Sequence, residues 1–71
     1  MIDVNKLRGA IIEKGKTQQE VAYEIGMNKS TFYKKMKEGG NFSIREVQKL
    51  FETIPLSKEK AIEIFFADYV A

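Results

Sequence analysis

The chain has 71 residues, 44% of them hydrophobic and 31% charged, with 12 Lys/Arg against 10 Asp/Glu for a net charge of +2. That describes one small domain, residues 1–71, near the lower size at which a single apolar core holds a fold without a staple. Neither Cys nor His occurs, which excludes disulfides and thiolate metal sites and removes the usual general base, so no metal, no cofactor and no catalysis are expected.

The start MIDVNKLRG lacks an apolar signal run, and no stretch approaches the roughly 20 apolar residues of a membrane span; a cytoplasmic protein with no membrane partner is expected. The charge is uneven. Residues 1–40 hold eight Lys/Arg against five Asp/Glu, or +3, and residues 41–71 hold four against five, or −1. A positive field is therefore expected on the first half.

In chain order, Asp3 suits the cap of a first helix whose Val4, Leu7 and Ile11 recur at i, i+3 and i+7, ending near Gly15. Lys6 and Arg8 lie off that stripe and read as solvated. Thr17 and Glu20 have the spacing of a capping box, which starts a second helix at Thr17. Ala22 then offers a single methyl where this helix crosses its successor, and Gly26 stands where the chain must leave through a left-handed conformation. With a Cβ, that conformation costs roughly 1 kcal/mol or more.

Asn28 suits the N-cap of a third helix, and Lys29 to Lys37 carries Lys29, Lys34, Lys35 and Lys37 with no acidic residue. At about 100° per residue, Phe32 and Met36 share one face, while Lys29, Ser30, Tyr33, Lys34 and Lys37 spread over an arc of about 140° beside them. A lysine-rich helical face is in most chains only a solvated surface. Here Thr17, Glu20, Ala22, Gly26 and the apolar set Met27, Phe32 and Met36 coincide with it, over about residues 17–37. Lysines and hydroxyls suit phosphate oxygens and base edges, and a helix of this width fits the major groove, so double-stranded DNA is the expected partner.

Glu38 to Ser43 reads as a flexible turn with Gly39, Gly40 and Asn41. Two readings of it stay open: Asn41 and the amides near Ser43 hold a DNA phosphate at a helix end, or the glycines serve only to turn the chain. Ser43 and Glu46 form a second capping-box pattern, with Phe42 placed to staple onto Val47. The fourth helix then points Val47, Leu50, Phe51 and Ile54 at the core. Beyond Pro55, Ser57 caps a fifth helix, about 58–70, with Ile62, Phe65, Phe66 and Tyr69 at helical spacing. Since Ile62, Ile64, Phe65, Phe66, Tyr69 and Val70 exceed one helical stripe, part of the cluster is expected to close the core. Ile64, Phe66, Tyr69 and Val70 are expected to form a homodimer contact.

With these residues in place, TQQEVAYEIGMNKSTF resembles the signature of the phage Cro/repressor-type helix-turn-helix family, the lambda-repressor-like fold, most strongly over Asn5 to Phe51. The ending IEIFFADYVA is similar to small phage-encoded regulators without an effector domain. The resemblance implies an all-α, compact five-helix DNA-binding domain in a bacterial or phage-infected host cell, with helices two and three as the helix-turn-helix. It implies that Gln18 touches the DNA backbone. It also implies that Asn28, Lys29, Ser30, Tyr33 and Lys34 occupy recognition-helix positions. Lys29, Ser30 and Tyr33 are the first candidates for base reading, and Lys34 and Lys37 fall on phosphates. Many relatives carry a buried Arg–Glu pair where Ile11 and Met36 stand here; two packed apolar groups replace such a pair without loss.

The expected function is a transcriptional regulator, repressor-like and dimeric, on a two-fold symmetric operator. The competing reading is a protein-binding module, such as an antirepressor, that reuses the scaffold.

Overall fold

Each helix begins where a short side-chain oxygen is available to close it. The computed structural model of the chain describes residues 2–69, with side chains through Asp68. In order come α1 (Val4–Glu13), α2 (Gln18–Glu24), α3 (Lys29–Lys37), α4 (Ile44–Thr53) and α5 (Lys58–Phe65), then a 3-10 turn at Ala67–Tyr69, with no strand among the described residues. No helix among those residues is long and apolar enough to cross a membrane.

Asp3 Oδ1 accepts from the Lys6 amide at 3.1 Å, and Ser57 Oγ accepts from the Lys60 amide at 3.1 Å. Thr17 and Glu20 close α2 reciprocally, the Glu20 amide donating to Thr17 Oγ1 at 3.1 Å and the Thr17 amide to Glu20 Oε1 at 2.8 Å. Ser43 and Glu46 repeat the arrangement at α4, at 3.1 and 2.8 Å. Each cap satisfies donors that would otherwise be orphaned, worth about 1 kcal/mol apiece.

All five helices feed one core. Leu7 and Ile11 of α1, Val21 and Ala22 of α2, Phe32 and Met36 of α3, Leu50 of α4, and Ile64 and Phe65 of α5 are buried. Ala22 is 1% exposed, and beyond it the chain turns sharply: the Met27 amide donates to the Ala22 carbonyl at 2.8 Å. That turn requires Gly26 at φ +74°. Gly40 is required twice over, by φ +81° and because a Cβ there would lie 2.7 Å from Ile2 Cβ.

The fourth helix places its apolar residues unevenly. Leu50 and Ile54 are buried, Val47 is half-buried, and Phe51 sits at the rim with 36% of its surface exposed. Phe51 nonetheless meets Phe65 edge-on, ring centroids 4.9 Å apart, so it closes the core from its margin.

The chain's end departs from the expected helix over 58–70. α5 stops at Phe65, and Phe66 leaves the helical region at φ −126°, ψ 40°. The Ile64 carbonyl, which a continuing helix would use for its next turn, accepts from the Asp3 amide at 2.8 Å and so ties the two ends of the fold together. Ile64 itself is fully buried. It is a core residue and offers nothing to a second subunit. Phe66 keeps 51% of its surface exposed; the Tyr69 side chain and Val70, also expected at a dimer contact, lie outside the described residues.

Candidate nucleic-acid interface

The α3 surface follows from which of its residues the core takes. Phe32 is fully buried and its ring lies 5.5 Å from that of Phe42. Met36 is 2% exposed. With that side anchored, Lys29, Ser30, Lys34 and Lys37 are exposed, and Tyr33 shows 44% of its surface. These are the residues that helical spacing grouped together. They form a strip of cations and hydroxyls without a carboxylate until Glu38, the C-cap of the helix.

Ion pairing separates the lysines of this half into two sets. Lys16 Nζ contacts Glu24 Oε2 at 2.9 Å, and Lys35 Nζ contacts Glu46 Oε1 at 3.1 Å. Lys29, Lys34 and Lys37 make no ion pair among the described residues. Lys6 and Lys14 of α1 and its C-cap are likewise unpaired among the described residues, so on α3 the charge available to a ligand is that of Lys29, Lys34 and Lys37. Lys34 and Lys37 stand in the last turn of α3, where the helix dipole favours cations.

Lys35 does something different. Its ammonium also donates to the Asn41 carbonyl at 3.2 Å, so it ties the last turn of α3 to the following loop and to the start of α4. Burial acts to raise the Glu46 carboxyl. The Ser43 amide and the Lys35 ammonium outweigh it and hold the group below its ordinary carboxylate value. Sequence spacing alone placed Lys35 among equivalent lysines, because Glu46 lies beyond a glycine turn.

The first turn of α3 has directional chemistry. Asn28 Oδ1 accepts both the Ser30 amide at 2.9 Å and the Ser30 hydroxyl at 2.6 Å. That leaves the Asn28 amide nitrogen as a donor and the Ser30 oxygen as an acceptor. A bidentate Asn contact to adenine needs both amide atoms, and here the oxygen is already committed to the cap.

The remaining candidates sit around this strip. Gln18 occupies the first turn of α2, half-buried, with Oε1 buried and lacking a hydrogen-bond donor among the described residues. Only its amide nitrogen has the sign to meet a phosphate. Asn41 is exposed, but the amides near Ser43 are less available than the loop reading assumed. The Ser43 amide donates to Glu46 Oε1 at 2.8 Å, and the Glu46 amide to Ser43 Oγ at 3.1 Å. The capping box takes two of the donors at this helix end and leaves the Ile44 and Arg45 amides of the first turn for a phosphate. Arg8 donates to Asn5 Oδ1 at 3.0 Å, away from the strip in sequence and engaged on its own helix.

One cation escaped sequence reasoning altogether. Lys49 of α4 brings its Nζ within 4.0 Å of the point where a Cβ on Gly26 would stand, so it lies at the turn between α2 and α3. No local pattern could reveal it, since the approach depends on how α4 packs against α2. Comparison of the chain with protein-family models, curated proteins and solved structures returns no match.

Proposed function

We propose that the chain is a sequence-specific DNA-binding transcriptional regulator of lambda-repressor-like helix-turn-helix type, with α2 and α3 as the motif and α3 in the major groove. One observation carries this reading. The outward side of α3 presents Lys29, Ser30, Tyr33, Lys34 and Lys37 together, while Phe32 and Met36 hold it from behind. Lysines without partners cost little to bring against phosphates, because no ion pair must be broken first.

In this reading Lys34 and Lys37 neutralise phosphates, and Gln18 donates to the backbone through its amide nitrogen. The Asn28 nitrogen, Lys29, the Ser30 oxygen and Tyr33 face base edges. A homodimer places two such helices on half-sites roughly 34 Å apart, one turn of the duplex. Occupying a promoter then represses by excluding polymerase.

The test is a titration of the chain into labelled mixed-sequence duplex at several salt concentrations, followed by fluorescence anisotropy. The reading expects binding that weakens steeply with salt, log K falling linearly with log salt concentration. Affinity indifferent to salt, or retention of an acidic protein with no retention of duplex, would reject it in favour of a protein-binding module.

A further inference from the structure

The apolar arc of α4 is wider than the core it covers. Around the helix, at about 100° per residue, Leu50 points inward and the apolar arc continues through Val47 and Phe51 to Ile44, with Gln48 at its edge. Ile44 is 81% exposed, a large apolar side chain held out in solvent at the first position of the helix. It borders an open groove of about 920 Å³ whose walls include Phe42, Val47, Phe51, Phe65 and Phe66. A large exposed apolar side chain beside a groove left open by the described residues marks a contact site.

Charge on the solvent edge of this strip indicates the occupant. Arg45 and Glu52 are both exposed, neither makes an ion pair among the described residues, and seven positions separate them. Seven positions is close to two helical turns, which puts both on the same edge within about 20° of each other. A second α4 packed parallel would set Arg45 against Arg45 and Glu52 against Glu52. Packed antiparallel about a two-fold axis near Gln48, it sets each Arg45 against a Glu52 of the other copy, twice over by symmetry. Gln48 meets its own equivalent, and an amide is complementary to an amide.

We infer that α4 is the seam of a homodimer: two copies pack α4 against α4 antiparallel, Ile44 of each enters the apolar strip of the other, and Arg45 and Glu52 exchange ion pairs across the axis. An isologous contact demands a patch that matches itself. This one matches in its apolar strip, its central amide and its charged edge. α4 spans 10 residues, about 15 Å of helix, so the seam is smaller than a standard interface of roughly 800 Å² per partner and the dimer is a weak, concentration-dependent one.

The seam also bears on spacing. Lys35 and Glu46 bind the end of α3 to the start of α4, so a two-fold axis through α4 fixes the separation of the two α3 helices. The inference rests on the dimeric reading above and assigns it a surface other than the chain's end.

Sedimentation equilibrium of the full chain without DNA tests it. The native chain should dimerise, and Ile44→Asp should weaken association about a hundredfold by placing a charge in each half of the seam. Arg45→Glu and Glu52→Arg should each weaken it about tenfold. The double variant R45E/E52R should return to within about threefold of native, a recovery that a merely structural role would not produce. Far-UV circular dichroism melts confirm that each variant folds. A monomeric native chain, a dimer untouched by Ile44→Asp, or a double variant no tighter than either single overturns the inference. Duplex affinity, read separately, keeps the failures apart: a dimer that ignores Ile44→Asp overturns the seam alone, whereas a chain that binds duplex yet stays monomeric overturns the seam and the dimeric reading but leaves duplex binding standing.

Discussion

Lys34 and Lys35 are neighbours in sequence, and their substitution by alanine should have opposite consequences. Lys34 is exposed and unpaired among the described residues; Lys35 bonds Glu46 at 3.1 Å and the Asn41 carbonyl at 3.2 Å, with 25% of each ion-pair side chain exposed. If Lys34 neutralises one phosphate, Lys34→Ala lowers the slope of log K against log salt by about 0.9. Over a fourfold rise in salt that is about a 3.5-fold smaller loss of affinity. Stability should not move by more than about 0.5 kcal/mol, as for other surface substitutions. Lys35→Ala instead removes two bonds donated by one ammonium, which fasten α3 to the following loop and to the start of α4, and should cost about 1–2 kcal/mol. For a domain of this size that lowers the melting temperature by about 4–16 °C. Thermal melts and anisotropy titrations on the same two variants provide both readings. Equal flattening of the salt slope by the two substitutions, with equal melting temperatures, would refute the division of the lysines by ion pairing.

Two further outcomes follow from the same geometry. Gly26→Ala should destabilise by about 1–2 kcal/mol from the left-handed backbone alone, since the nearest atom to the new Cβ is Lys49 Nζ at 4.0 Å; Gly40→Ala adds a 2.7 Å approach to Ile2 Cβ and should cost more, as urea unfolding of the pair will measure. The Glu46 carboxyl is held below its ordinary value in the folded chain, so it contributes stability that is fully present above the unfolded carboxylate range and is lost as pH falls through the folded value. A melt series from pH 7 downward should therefore show a falling melting temperature that Glu46→Gln blunts. An unchanged slope in that variant would contradict the assignment.

What could be read from the sequence divides according to range. Thr17 with Glu20, Ser43 with Glu46, Asn28 and Ser57 were legible because a cap involves residues two or three apart, a geometry that any helix start imposes. The exposed strip of α3 was legible for the same reason, through periodicity. The end of α5 was not, because the Asp3 amide, from the opposite end of the chain, engages the Ile64 carbonyl. Helical spacing also cannot tell a core aromatic from a surface one when apolar residues occupy most of a helix's circumference. Ile64 and Phe65 went inward and Phe66 outward. Lys35 and Lys49 acquired their surroundings only when α4 packed beside α2 and α3.

The DNA-binding account stands on the open side of α3, and selection from a random duplex pool tests it most directly. Rounds of binding by the native chain at two salt concentrations, compared with a Lys29→Ala, Tyr33→Ala double variant, should enrich one sequence with two-fold symmetry. Its half-site centres should lie about 10 base pairs apart, and enrichment should sharpen as salt suppresses phosphate-only binding. The double variant should still bind duplex but enrich a relaxed sequence. A native pool that stays random at both salt concentrations, or one that enriches the same site without Lys29 and Tyr33, would contradict the assignment of base reading to this helix.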